Sequence, residues 1–172
     1  MADLLNNTNS NANNYGDDAI VTLSPREHIR LRPGMYVGVV GDGSQPDEAL
    51  YVLIKEVVDN SIDEFIMGAG RQIDITLADN VVTVRDYGRG IPLKSLAAAV
   101  GQMNTGGKYG GDAFKKTVGL NGVGVKAVNM LSEEFTARSV RDGEARTVTF
   151  AKGLEVSDRW ESGVREKNGT FI

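Results

Sequence analysis

Apolar positions recur with two periods along this chain. From about Pro46 to Met67 they fall at helical spacing, with Leu50, Leu53, Ile54, Val57, Val58, Ser61 and Phe65 on one stripe. The pattern predicts a long helix, opened by Asp47 and Glu48 in its first turn and closed by Gly68-Ala69-Gly70. The period then changes to two. Ile73, Ile75 and Leu77 share a face, Asp79-Asn80 makes a turn, and Val82 and Val84 continue that face, which predicts a pair of strands. Residues 93–104 read as another helix, and a further one is expected near Val125–Leu131. Strands are expected around 135–141 and 145–151, with a last one starting at Thr170. Upstream, Ser24-Pro25 opens a short helix as N-cap and first-turn proline. Arg32-Pro33-Gly34 ends it, because proline disfavours α geometry at the residue before it. Residues 1–18, with six asparagines between Asn6 and Asn14, are too polar to offset the entropy of ordering. They are expected to form a disordered arm, leaving 19–172 as one domain.

Three places break the apolar pattern. Glu56 and Asn60 are successive rungs on one edge of the long helix's stripe, and Glu64, one rung on, falls inside it. A carboxylate there costs several kcal/mol unless paired, and Arg89 is a natural partner. Such residues on an ordinary helix would simply form a solvated edge; the neighbouring motifs argue otherwise. Asp86 lies on the face of Val82 and Val84, where a core residue belongs. It serves either as a hydrogen-bond anchor or as a ligand acceptor. The glycines of Tyr87-Gly88-Arg89-Gly90-Ile91-Pro92 favour the second, since they let backbone approach a ligand. The third break is Gly119-Leu120-Asn121-Gly122-Val123-Gly124-Val125-Lys126, which enters a helix from a stretch with seven glycines in nineteen residues. Amides of such a turn at a helix N-terminus cradle anions. The spacing is that of neither a P-loop nor a Rossmann fingerprint. Together the breaks suit a nucleotide held by its base at Asp86 and its phosphates at the loop, with a metal near Asn60.

Composition narrows the chemistry. Cysteine is absent and His28 is the single histidine, which excludes thiol nucleophiles, thiolate zinc sites and His-based triads. Nineteen basic against 23 acidic side chains give a net charge of −4, a poor basis for gripping DNA or an anionic membrane. No apolar run reaches the roughly 20 residues of a membrane helix. A cytoplasmic protein is expected.

The segments Glu56–Glu64, Asp86-Tyr-Gly-Arg-Gly90 and Gly119-Leu-Asn-Gly-Val-Gly124 resemble, in order, the nucleotide motifs of the GHKL ATPases. Arg32-Pro33-Gly34-Met35-Tyr36-Val37-Gly38 makes the chain similar to the N-terminal ATPase domains of bacterial type IIA topoisomerase B subunits, gyrase and topoisomerase IV, over residues 15–172. The resemblance implies a two-layer α/β sandwich, an α+β fold with a mixed, largely antiparallel sheet and helices on one face. It implies ATP and Mg²⁺ as ligands: Glu56 as general base, Asn60 as metal ligand, and Asp86 as acceptor of the adenine amino group. Gly90, Ile91, Pro92 and Thr170 would complete the adenine pocket around ordered water. Lys108 and the segment Gly119, Leu120, Asn121, Gly122, Val123, Gly124, Val125 would take the phosphates. Tyr15 would reach the partner's nucleotide site, in a homodimer formed through the arm when ATP binds. Asp86, Arg89, Pro92, Arg141 and Thr170 would receive aminocoumarin-type inhibitors. Phe114 stands where some gyrases have a lid tyrosine, which implies weaker hold on the base. The holoenzyme would add an A subunit and handle DNA in strand passage, which this fragment would not grip strongly. The family's transducer domain would be missing after Thr170, so ATP binding with little turnover is expected. MutL-like repair ATPases, the large heat-shock chaperones and sensor kinases share part of this pattern, but the RPGMY segment and Glu64 argue against them. A non-catalytic nucleotide-sensing module has no use for Glu56.

Overall fold

The computed structural model describes residues 20–105 and 122–172. Three short hairpins organise the sheet. Asp79-Asn80, Asp142-Gly143 and Lys152-Gly153 each place two consecutive residues at positive φ, the conformation whose twist matches a tight two-residue hairpin loop. They connect β1 (Ile73–Ala78) to β2 (Val81–Asp86), β3 (Glu134–Arg141) to β4 (Glu144–Ala151), and β4 to β5 (Leu154–Ser162). The last strand, β6 (Gly169–Phe171), inserts between the two groups, giving the order β1-β2-β6-β3-β4-β5. Every strand pairing among the described residues is antiparallel, so the sheet expected to be mixed has no parallel pair within it.

Helices cover one face. Beyond α1 (Pro25–Leu31) and α2 (Gly34–Val37) come α3 (Ala49–Ile66), α4 (Leu96–Gly101) and α5 (Gly124–Leu131). The Ser24 hydroxyl and the Glu27 carboxylate cap the start of α1 reciprocally, as the Ser-Pro signal requires. The core lies where Leu96 and Val100 of α4 meet Phe135 and Ala137 of β3 and Val148 and Phe150 of β4. Phe135 and Phe150 face each other across the two strands, edge to face with ring centres 6.2 Å apart. A contact of that kind adds about 1 kcal/mol beyond the area it buries.

Four expectations need correction. The long helix begins at Ala49 with Glu48 as its N-cap, so Asp47 and Glu48 stand before its first turn. Glu48 is held out of the helix because its carboxylate accepts the Gly43 amide while its backbone bridges to Val39. The ends of the expected stripe are not core: Leu50 is 51% and Phe65 58% exposed. Ser61 is buried as the stripe predicts, but so is Asp63, where α3 borders a cavity, and Asp59, which pairs with Lys55. The helix expected over 93–104 is a 3-10 turn at Leu93–Ser95 followed by α4, which ends at Gly101. Strand β5 was not anticipated; Glu155, Asp158, Arg159 and Glu161 mask its apolar positions.

Candidate functional site

A cavity of about 640 Å³ opens between α3, the end of β2, α4, the start of α5 and β6. Asp86 lies against its wall, 5% exposed. Its Oδ1 accepts the Gly88 amide at 2.9 Å and the Thr170 amide at 3.0 Å. The second bond depends on Gly169, whose φ is +142°; a Cβ there would fall 2.2 Å from the Asp86 carbonyl oxygen. Only glycine lets β6 approach the end of β2 so closely. Burial pushes the Asp86 carboxyl above the usual carboxylate range. The Gly88 and Thr170 amides pull it down, Glu64 raises it again, and Arg85 lowers it, with a net rise. The anchor reading and the acceptor reading of Asp86 are therefore compatible: Oδ1 anchors the turn, and the group faces the cavity.

The turn after Asp86 is clamped from both sides. Arg89 donates to Glu64 through Nε at 3.1 Å and Nη2 at 2.8 Å, and its backbone amide adds a third bond at 3.0 Å. Burial alone would raise the Glu64 carboxyl, but these bonds and the charges of Arg89 and Arg141 hold it below its ordinary value. On the other side Arg141 Nη1 donates to the Gly90 carbonyl at 3.1 Å, and the Ser139 hydroxyl donates to the Ile91 carbonyl at 2.7 Å. The stretch Gly90-Ile91-Pro92 is thus a fixed part of the wall, which Val84, Val100 and Ile172 also line. A slot with apolar sides and one convergent carboxylate suits a flat heteroaromatic ring that carries a donor.

The opposite end is polar. Glu56 and Asn60 line it from α3, and Asn60 Nδ2 donates to the Glu56 carbonyl at 2.8 Å, which leaves the amide oxygen as that side chain's acceptor. The Glu56 carboxylate rests over the N-terminus of α5: a Cβ on Gly124 would lie 1.7 Å from its Oε2. Glycine at 124 is what admits the carboxylate there, beside the partial positive charge of the helix start. No cluster of three or more carboxylate or imidazole ligands occurs among the described residues. A Mg²⁺ ion, which takes few protein ligands and relies on substrate phosphates and water, fits Asn60 better than a dedicated cage would.

Of the residues singled out from the sequence, Glu56, Asn60, Glu64, Asp86, Arg89, Gly90, Ile91, Pro92, Gly122, Gly124, Val125, Arg141 and Thr170 line this one cavity. Val123 does not; it caps α5, and its carbonyl accepts the amides of Lys126 and Ala127. Tyr15, Lys108, Phe114, Gly119, Leu120 and Asn121 lie outside the described residues, as does the arm 1–18. The sequence reading missed Asp63, Ser95, Thr105 and Lys126, which also line the cavity. Asp63 could have been found, since it stands seven residues after Glu56 and so on the same helix face. Thr105 carried no such signal.

Fold and cavity define a nucleotide-binding ATPase module, and the chain belongs to a family of that kind: residues 45–156 match the histidine kinase-, DNA gyrase B- and HSP90-like ATPases. Within that family it is similar to the B subunit of DNA topoisomerase 4 from Borreliella burgdorferi, 53% identical over 92% of this chain and 26% of the relative. It is 42% identical to the B subunit of DNA gyrase from Rickettsia conorii, over 84% of this chain and 18% of the relative. With the gyrase B protein of Myxococcus xanthus the identity is 37%, over 92% of this chain and 20% of the relative. The chain thus spans about a quarter or less of the length of these curated relatives.

Proposed function

We propose that this chain is the ATP-binding part of the B component of a bacterial type IIA topoisomerase, whose nucleotide-driven dimerisation serves DNA strand passage. The observation that carries the reading is the pairing of Asp86, fixed by the Gly88 and Thr170 amides, with Glu56 seated over Gly124 at the other end of the same cavity. Adenine lies in the slot between Ile91-Pro92 and Val100, its amino group donating to Asp86 and, through ordered water, meeting Gly90 and Thr170. The phosphates run toward Gly122–Gly124; by the family resemblance Lys108 and Gly119–Asn121 join them there. Asn60 would hold Mg²⁺, which when bound would neutralise charge on the phosphates. Glu56 orients the attacking water and takes its proton. Positioning and charge placement suffice for phosphoryl transfer to water, so no covalent nucleophile is required.

The rest is proposed from the motif resemblance. The arm with Tyr15 completes a homodimeric partner's site, an A subunit supplies the DNA-cleaving half, and Arg141 beside Pro92 receives aminocoumarin-type inhibitors. The protein acts in the cytoplasm; no helix among the described residues is long and apolar enough to cross a membrane. Within the chain, 1–18 is the arm and 19–172 the ATPase domain, which alone binds nucleotide with little turnover.

Calorimetric titration with a non-hydrolysable ATP analogue and Mg²⁺, beside Asp86→Asn, tests the pocket. Binding to the wild type and its loss in the variant are expected; equal binding by both would remove Asp86 from the adenine site. In the full-length protein Glu56→Ala should bind ATP and lose turnover, which separates an enzyme from a nucleotide-sensing module.

A further inference from the structure

Lys126 stands out among the buried charged groups because the scheme above gives it no role. It sits in the first turn of α5, 3% exposed, and lines the nucleotide cavity. Its ammonium donates to the Thr105 carbonyl at 2.6 Å and also to the Gly122 carbonyl. These two carbonyls belong to chain segments seventeen residues apart in sequence, both on the cavity wall. Asn129, three residues on and so on the same face of α5, is fully buried and donates Nδ2 to the Val100 carbonyl at 3.0 Å. One face of α5 therefore fixes the exit from α4 at two points, and Lys126 ties that exit to the Gly122 turn.

A buried ammonium costs several kcal/mol in lost hydration, which is a poor way to join two carbonyls that an amide could serve. Its charge matters for what faces it. Carbonyl oxygens on a cavity wall repel an anion, and an ammonium that engages them cancels that repulsion. The ammonium and the N-terminus of α5 stand together at the Gly122–Gly124 end, where they also offset the Glu56 carboxylate seated over Gly124.

Resting on the nucleotide reading above, we propose that Lys126 is a positioning residue for the triphosphate: it pins the Thr105 and Gly122 carbonyls and turns that wall of the cavity into an anion-accepting one. It acts on the phosphates and leaves the base to Asp86. The test compares two ligands on the full-length protein, adenosine and a non-hydrolysable ATP analogue with Mg²⁺, in wild type and Lys126→Met. Methionine keeps the length and apolar stem of lysine and removes the charge. The analogue is expected to bind the variant about tenfold more weakly or worse, as for loss of a charged hydrogen-bonding group, while adenosine changes by less than about twofold. Equal weakening of both ligands marks a merely structural lysine and overturns the proposal; so does an unchanged affinity for the analogue. A wild type that binds neither ligand overturns the nucleotide reading itself, a separate result. Should Lys126→Met fail to fold, the wild-type protein decides through the Lys126 ammonium resonance in ¹⁵N-lysine-labelled samples. The resonance is expected to shift with the ATP analogue and stay in place with adenosine, and no shift with either overturns the proposal.

Discussion

A single side chain, Asp86, carries two demands that pull against each other. In its proposed role as acceptor for a ligand donor it must be ionised, yet burial favours its neutral form and raises its carboxyl. The raised value fixes the sign of two effects. Stability contributed by proton binding at Asp86 is present at low pH and fades as pH rises through the folded value, so acid does not unfold the protein through this group. Glu64 is the reverse case: its value is depressed, and the stability of its pair with Arg89 is lost only as pH falls through that lowered value. On acidification from neutral pH, nucleotide affinity should therefore decline before the melting temperature does. Titration calorimetry and thermal melts over the same pH series check this, and a simultaneous decline would contradict it. Asp86→Asn separates the demands outright. The amide oxygen still accepts from Gly88 and Thr170, so the fold is retained, while the amide nitrogen opposes the ligand's donor at a cost of about 2 kcal/mol or more in binding. Gly124→Ala makes a complementary case. The new Cβ meets the flexible end of Glu56, so the carboxylate moves and the helix stays. If Glu56 is the base, as proposed above, turnover of the full-length protein should fall about a hundredfold through its misplacement, with helix stability level or up by as much as about 1 kcal/mol. Paired kinetics and melts measure both.

Among the elements, those with a clean period were legible before the structure. The β1–β2 pair, β3, β4 and α5 fall where alternation and helical spacing put them; β3, β4 and α5 do so because each presents an apolar face to one core, whereas the alternation of β1 marks the strand although Ile75 and Leu77 stay exposed. The departures all occur where an element serves two surroundings. On α3 the face that borders the cavity is mostly polar and includes buried Asp63, while Leu50 and Phe65 at the ends of the apolar stripe are exposed. On β5 the strand is an edge, and charged residues that discourage further pairing also hide its period. Of the site, the acid–amide edge and the aspartate turn could be read from pattern breaks. Lys126 could not, since its partners are backbone carbonyls brought in from Thr105 and Gly122. The edge strand's attachment is a property of the element level too. Arg146, mostly buried on β4, donates twice to Asp158 of β5, at 2.9 and 2.8 Å, and stacks 4.8 Å from the Trp160 ring. The same guanidinium donates to the Leu93 and Lys94 carbonyls, which ties β5 to the turn that follows Pro92. Arg146→Met should cost about 2 kcal/mol, because it removes the charged hydrogen bonds to part-exposed Asp158 and takes a donor from the buried Leu93 carbonyl. Urea unfolding reads it, and a loss below about 1 kcal/mol would show that the network is only surface decoration.

At the scale of the whole molecule the sheet is two units joined by a narrow seam. The β3–β4–β5 meander holds the Phe135–Phe150 core, whereas the β1–β2 hairpin leaves Ile75 and Leu77 more than half exposed. What connects them is β6, three residues long, pairing with β3 over Gly169–Phe171 and with β2 at Phe171, extended by the mutual bonds of Val84 and Ile172. The cavity straddles this seam: Asp86 and Val84 stand on one side, Ser139 and Arg141 support the wall from the other, and Thr170 lies between. Opening of the seam should therefore need less free energy than global unfolding, as expected for elements with few buried apolar contacts. A ligand that touches both sides binds the closed form alone, and at a hundred times its dissociation constant it stabilises that form by about 2.7 kcal/mol. Native-state hydrogen exchange gives the expected signature. Without nucleotide the β1–β2 amides exchange through a smaller opening free energy than those of β3 and β4. A saturating ATP analogue slows the hairpin and β6 together, while in Asp86→Asn the same addition slows neither. Uniform protection across all six strands before ligand is added would mean that β6 welds the sheet into one cooperative unit, and that nucleotide reports on the pocket without bracing the fold.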